Sequence, residues 1–285
     1  MNILICGHRA FAAKGLVDIL RANGHNVLCF SRGDLNMNDN IITGSVDEVD
    51  KNPFLRNKVI DVIINFIVLK DGTKESNLSY IKALCHLSDD HKVSKFIQIS
   101  SISSYPNKTE YIDENTEIDI DGRNKGDYGA MKVDVDRYLI GMKNNCNIPV
   151  IFVRPGFIMA KDHPNPLGGI VKKVSCKIGI LWGNKRSTLP VIRREVLHSK
   201  LVKIVEDERP LDVYLLLEKE ISTKNEYAKA VAPDMVILGL PKWLVLSLAG
   251  VLTQIGILNK KNVQKISGLF KRQTFNTTLT DNKLK

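Results

Sequence analysis

The chain has 285 residues, 44% hydrophobic and 25% charged, which allows one large α/β domain or a major domain with a smaller partner and excludes disorder as a description of the whole. A formal net charge of +10 suits an anionic ligand, a nucleic acid or an acidic membrane surface. With no Lys/Arg run longer than a pair and no interleaving of aromatic and basic residues, nucleic acid drops out in favour of anionic small molecules.

The amino terminus, MNILICG, has no basic leader and no small-residue cleavage pattern. Cys6, Cys29, Cys85, Cys146 and Cys176 are widely spaced without a C-x-x-C pair. Reduced, mostly buried thiols in a cytoplasmic protein are the expectation.

NILIC is an apolar run ending at Gly7, and FAAKGLVDILRANG then shows helical spacing as far as Gly24, a good stop residue. HNVLCFSR, VIDVIINFIV and VSKFIQISS supply three more buried runs, with NLSYIKALCHLSDD helical before the last. A helix is expected from Tyr128 to about Met142, and IPVIFVRPG gives another strand. This alternation predicts a parallel sheet covered by helices. After Phe157 the rhythm breaks into short elements, apart from LDVYLLLEK, which reads as one more strand.

Tyr128 and Lys132 in GDYGAMKVDVDRYL are four apart, so a helix places them on one face, where an ammonium favours the phenolate. The same spacing also suits an ordinary amphipathic helix. Near the carboxyl end, Trp243 to Leu258 is too short and too interrupted by Ser247, Thr253 and Gln254 to span a bilayer comfortably. It reads as a helix packed in the core of a small lobe. Lys260, Lys261, Lys265, Lys271 and Arg272 follow it and leave open peripheral contact with an anionic membrane surface.

The turn CGHRAFAAKGL joins the first strand to the first helix, where a dinucleotide fold needs backbone close to a pyrophosphate. With VSKFIQISSISSYP, the Tyr128–Lys132 pair and Val153-Arg154-Pro155-Gly156, the chain resembles the extended short-chain dehydrogenases, the family of nucleotide-sugar epimerases, dehydratases and reductases. Their G-x-x-G-x-x-G falls on Gly7, Ala10 and Ala13, with two glycines replaced by alanine; a positive φ at Ala10 would be costly. Even the ending, FNTTLTDNKL, is similar to the short strand and helix that close nucleotide-sugar members.

The resemblance implies an α/β fold with a Rossmann-like doubly wound parallel sheet. It places an NAD(P)-binding domain over 1–156 and a mainly substrate-binding lobe over 157–285, from which one or more segments return to the sheet. It implies catalytic roles for Ser101, with Ser100 as fallback, Tyr128 and Lys132. Cofactor contacts would come from Gly7, Arg9, Ala10, Phe11, Ala12, Ser31, Arg32, Phe66, Tyr128, Lys132 and Pro155, and substrate contacts from Ser101, Ser103 and Arg186. Asn77 is similar to the asparagine opening a family helix, and equally serves as a helix N-cap.

Ser31 and Arg32 offer donors and positive charge where an acidic residue would take the NAD ribose, so NADP is the expected cofactor and NAD the alternative. No metal is expected. Ile102 and Ser103 stand where dehydratases of the family carry an Asp-Glu pair, which disfavours water elimination. The expected activity is NADP(H)-dependent reduction of a keto-sugar nucleotide in surface polysaccharide or sugar-nucleotide biosynthesis. An epimerase retaining NAD and a non-catalytic NADP-binding sensor or scaffold are the alternatives. Lys185, Arg186, Arg193 and Arg194 either meet a diphosphate or are surface charges. Family resemblance suggests a homodimer through the helices flanking Tyr128.

Overall fold

A computed structural model of the chain describes residues 1–69, 72–123, 125–146, 148–163, 166–167, 170–181, 183–218, 223–254 and 273–285. The apolar runs become strands and the 3.6-periodic stretches become helices. In chain order these are β1 (Asn2–Cys6), α1 (Leu16–Ala22), β2 (Asn26–Arg32), β3 (Asn36–Asn38), β4 (Ile41–Gly44), α2 (Pro53–Arg56), β5 (Val62–Asn65), α3 (Lys74–Asp90), β6 (Lys95–Ile99), β7 (Tyr111–Ile112), α4 (Asp127–Cys146) and β8 (Val150–Pro155). There follow β9 (Phe157–Met159), β10 (Val171–Lys173), β11 (Ile178–Leu181), β12 (Val191–Arg193), α5 (Arg194–Glu206), β13 (Val213–Leu216), α6 (Lys224–Val231), β14 (Val236–Gly239), α7 (Lys242–Gln254), β15 (Thr274–Phe275) and α8 (Thr278–Lys283).

The main sheet has eight strands in the order β13-β8-β6-β5-β1-β2-β4-β3. All its pairings are parallel except β3 with β4. Those two join through Asp39 and Asn40, both at positive φ, as a two-residue hairpin turn demands. Strands this uniformly apolar must be covered on both faces. Leu16 and Leu20 of α1 with Leu197 and Leu201 of α5 pack on one face. Tyr80 and Leu84 of α3 with Val135 and Leu139 of α4 pack on the other. The architecture is α/β, Rossmann-like and doubly wound.

Three elements depart from the sequence expectation. The first helix starts at Leu16 rather than near Phe11, because residues 7–15 form a run of turns that ends in Gly15 at φ 92°. The third helix starts at Lys74, capped by Thr73, whose hydroxyl accepts from Ser76 N at 3.2 Å; Asn77 is therefore neither the start nor the cap. Helix α7 is not packed in a core. It buries Val245 and Ala249 and exposes Trp243, Leu244, Leu248 and Val251. The expectations for Leu258, Lys260, Lys261, Lys265, Lys271 and Arg272 lie outside the described residues.

The chain after β8 builds a three-stranded sheet, β10-β11-β14, over a small core that includes Leu181, Val191 and Tyr227. Between β11 and β14 it returns to the main sheet as the edge strand β13. Strand β15 pairs with β7, and in α8 the Thr280 hydroxyl accepts from Leu215 N at 2.9 Å while Thr280 N donates to Glu114 at 2.8 Å. Among the described residues no helix is long and apolar enough to cross a membrane.

Candidate active site

At the carboxyl end of β1 the chain must turn sharply while keeping its backbone bare. Gly7 has φ 84°, and a Cβ there would lie 2.8 Å from Ile67 Cγ1 and 3.2 Å from Ile67 N, so both conformation and space demand glycine. Gly15 takes the other positive φ of the turn. The strain anticipated at Ala10 does not arise, because Ala10 is not among the positive-φ residues; its N–H donates to Gly7 O at 2.9 Å, and Ala13 N donates to Ala10 O at 2.9 Å. Ala13 is fully buried, where a small side chain lets turn and core approach closely. Gly7, the one motif glycine that survives, and Gly15, outside the motif, thus occupy the positions where the backbone needs a glycine.

Residues of α5 and of the second lobe hold the turn from outside. His198 Nε2 lies 2.8 Å from Ala12 O, and Arg194 donates to Phe11 O at 3.3 Å. Asp162 pairs with Arg194 at 2.9 Å and with Lys14 at 2.6 Å, and these two cations hold its carboxyl down at about 2. Ala10→Gly is expected to preserve or improve cofactor affinity in a fluorescence titration, while Ala10→Leu obstructs the turn. Loss of binding with glycine and retention with leucine would refute this placement.

The cavity wall between β5 and α3 is pinned by two buried asparagines. Asn65 donates to Gln98 at 2.8 Å and accepts from Tyr80 OH at 2.7 Å and Ile67 N at 3.0 Å. Asn77 accepts from Leu69 N at 3.0 Å and donates to Leu69 O at 3.1 Å. Asn77 acts as a clamp on the loop before its helix. Residues Phe66 to Leu69, held at both ends, face the turn across a cavity of about 770 Å³.

Helix α4 carries Tyr128, Lys132 and Asp136 at four-residue intervals and so on one face. The Ser101 hydroxyl acts on the Tyr128 phenol, lowering its pKa, and Ser101 Oγ accepts from Ser103 N at 3.1 Å. Ser100 is buried, donating to Asp136 Oδ2 at 2.6 Å and lying 3.0 Å from the Ser104 hydroxyl. Lys132 is buried, donates to Ile99 O at 2.6 Å, and sits 5.7 Å from the Tyr128 ring centroid.

This corrects one expectation about the pair. Tyr128 is 45% exposed, yet its phenol is pushed above the usual range, chiefly by burial in the cleft and also by Asp136, against the lowering hydrogen bond with Ser101. The ammonium meets the face of the ring and a carbonyl oxygen, so in this state it does not produce a depressed phenol. At neutral pH Tyr128 holds its proton.

Behind α4 lies a buried charge cluster. Asp136 is fully buried, 3.5 Å from Arg154 Nε. Arg154 donates to Tyr105 OH at 3.1 Å and lies over the Tyr105 and Phe152 rings. Burial raises the Asp136 pKa, opposed by Arg154, the Ser100 hydrogen bond, Lys132 and Ser104.

The cavity brings together Gly7, Ala10, Phe11, Ala12, Ser31, Arg32, Phe66, Ser100, Ser101, Tyr128, Lys132 and Pro155. Arg9, Ser103 and Arg186 are not in its lining. Arg9 and Arg186 are exposed, and Ser103 is turned away as the second residue of the short helical turn that Ser101 caps. Of the remaining basic candidates, Arg193 donates to Glu218 at 2.7 Å, Arg194 is held by Asp162, and Lys185 packs over Gly239. The lining residues that sequence reasoning missed include Ile67, Val68, Leu69 and His163. His163 packs edge-on to Phe11, ring centroids 4.6 Å apart, and against Phe157 at 5.4 Å. Seven residues separate His163 from Gly156 in a stretch without periodicity, so no local pattern announced it.

A nicotinamide dinucleotide fits these residues on two observations. Gly7, packed too closely on Ile67 to carry a side chain, lines the cavity with bare backbone, and the Ser31 hydroxyl at the end of β2 is buried without a hydrogen-bond partner. A turn of this kind, at the carboxyl edge of a parallel sheet, defines a nucleotide-binding α/β protein. The model of the NAD dependent epimerase/dehydratase family matches residues 3–186, and the chain belongs to that family.

Several solved structures share the fold. A dTDP-glucose 4,6-dehydratase from Bacillus anthracis, in complex with NAD, is 15% identical over 99% of this chain and 90% of its own, with a TM-score of 0.69. The human epimerase family protein SDR39U1, with NADPH, is 16% identical over 99% and 93%, TM-score 0.65. A UDP-glucuronic acid 4-epimerase from Bacillus cereus, in complex with NAD, is 15% identical over 100% and 92%, TM-score 0.66. No curated protein matches.

Proposed function

We propose that this chain is an NADPH-dependent reductase of a keto-sugar nucleotide. The observation that carries the reading is the buried, unpartnered Ser31 hydroxyl next to Arg32, both lining the cavity that holds Ser101, Tyr128 and Lys132. A hydroxyl and a guanidinium at the end of β2 suit a ribose 2′-phosphate and include no carboxylate to accept from both free ribose hydroxyls. Apolar Ile102, also in the lining, supplies no acid or base beside Ser101, which argues against water elimination. The similarity in fold to a dTDP-glucose 4,6-dehydratase and a UDP-glucuronic acid 4-epimerase supports that substrate class.

The bound nicotinamide supplies hydride chemistry at the substrate carbon. The residues of the chain manage the oxygen. Ser101 donates to the carbonyl and orients it. Tyr128, protonated at rest, gives its phenolic proton to that oxygen as the alcohol forms. Lys132, anchored on Ile99 O, stabilises the phenolate left behind until solvent returns a proton.

NADPH is expected to bind about 10- to 100-fold more tightly than NADH, the range of one or two charge-assisted hydrogen bonds, and Arg32→Asp should reduce or invert that preference in calorimetry. Stoichiometric NADPH oxidation with a panel of keto-sugar nucleotides tests the reaction. Turnover without net cofactor consumption would instead identify an epimerase, and cofactor binding without any turnover a sensor or scaffold.

A further inference from the structure

Exposed apolar surface gathers on the second lobe. Trp243, Leu244, Leu248 and Val251 of α7 are exposed, Trp243 at 69%. At 100° per residue these four fall within an arc of about 140°, opposite the buried Val245 and Ala249. The helix follows β14 after only Leu240 and Pro241. Exposed Val236 and Leu238 of β14 pair in register with Ile178 and Ile180 of β11, and Lys172 of β10 lies opposite Ile180. The apolar stripe of the helix is thus joined, through two residues, to strands that carry further exposed apolar side chains.

The charges around this surface are mainly positive, with exposed Asp234 just before β14 the exception. Lys172, Lys173 and Lys177 are exposed on β10 and the turn into β11. In the sequence no Asp or Glu occurs between Asp234 and Asp281, an interval that includes all of α7 and several lysines. An apolar stripe of this width led by a tryptophan and flanked mainly by cations is the pattern of a helix lying in a lipid interface. Ser247, Thr253 and Gln254 interrupt the apolar run, and among the described residues no helix is long and apolar enough to cross a membrane, so the helix suits a place along a bilayer rather than through it.

We propose that the α7 face docks on the headgroup region of an anionic lipid bilayer, with Trp243, Leu244, Leu248 and Val251 inserted and the neighbouring lysines on lipid phosphates. Charge selects this occupant over a second copy of the chain. Two copies of a +10 protein meeting through this face bring Lys172, Lys173 and Lys177 of one toward those of the other, with Asp234 a single carboxylate beside β14 against them. The proposal is independent of the reaction at the cavity.

The test uses the full chain and two kinds of vesicle, pure phosphatidylcholine and phosphatidylcholine with phosphatidylglycerol. The chain has two tryptophans, Trp182 and Trp243, so Trp182→Phe leaves one reporter on the helix. Co-sedimentation with the anionic vesicles and a blue shift of Trp243 fluorescence are expected. Leu248→Gln combined with Val251→Gln should abolish the shift and lower vesicle affinity at least tenfold without altering NADPH binding, which also checks that the variant folds. Adsorption to anionic vesicles without a Trp243 shift would overturn the proposal, since net charge alone explains it. A dimer in analytical ultracentrifugation that the same double variant dissociates, with no vesicle insertion, would overturn it too and assign the face to a second copy.

Discussion

Tyr128→Phe is expected to lower the rate of ketone reduction by about 10²- to 10⁴-fold, the usual cost of losing a general acid, or about 2.7 to 5.5 kcal/mol of barrier. The ring stays, so folding and NADPH binding should be retained. Ser101→Ala should lower turnover with little effect on cofactor affinity, because its hydroxyl accepts from Ser103 N and acts on the Tyr128 phenol. Lys132→Met should harm both, since it leaves the Ile99 carbonyl without its donor and removes the charge that steadies a phenolate. The pH dependence has a definite sign. The donor form of Tyr128 is the protonated one, and its pKa is raised, so reduction should persist into alkaline solution and fall only as the phenol ionises. Steady-state kinetics over a pH series, with single-turnover rates to isolate the chemical step, reads both results. Parental rates in all three variants would reduce the Tyr128–Lys132 spacing to an ordinary helix face.

Arg154→Met should destabilise the fold by about 3 to 5 kcal/mol, the range for removing one partner of a buried ion pair. Asp136 would remain fully buried with its principal counter-ion gone. Asp136 is a carboxyl whose folded pKa is raised, so its contribution to stability is fully present below the ordinary carboxylate value and is lost as pH rises through the folded pKa. In Arg154→Met that folded pKa climbs further. The deficit should therefore be smallest in mild acid and grow toward pH 8. Asp136→Asn added to Arg154→Met should recover part of the loss at pH 8, because no charge is then stranded. Urea unfolding of the parent, Arg154→Met and the double variant at several pH values measures this. A deficit independent of pH would mean that the loss is one of packing, through the Tyr105 and Phe152 rings that Arg154 covers.

The sequence by itself determined the parallel sheet and the identity of its buried strands, because a run such as NILIC or IPVIFV can be satisfied only between two covering layers. It also placed Tyr128, Lys132 and the unread Asp136 on one helix face, since that follows from 3.6 residues per turn. Boundaries were less legible. The first helix starts late because Gly15 adopts a left-handed conformation, and the residue type alone does not reveal the sign of φ. The edge hairpin of β3 and β4 has almost no apolar signal in NMN and depends on its pairing with β2. Asn77 illustrates a side chain whose role belongs to tertiary structure: four residues into α3, it serves a loop eight residues earlier.

Only the tertiary structure decided the electrostatics. A lysine four residues from a tyrosine suggests a lowered phenol pKa, yet Lys132 turns to Ile99 O while desolvation governs Tyr128. Arg154, read as part of a strand-to-loop element, proved to be a buried counter-ion for Asp136. His163 entered the cavity wall and Arg186 stayed outside it through the path of the second lobe, which no local period encodes. Helix α7 had the apolar content of a core helix, but burial depends on what packs against a face, and the described residues leave one side of it uncovered. Period and composition fix which residues can face the same way; the partner they face, and hence the charge state and function of the site, is fixed by contacts distant in sequence.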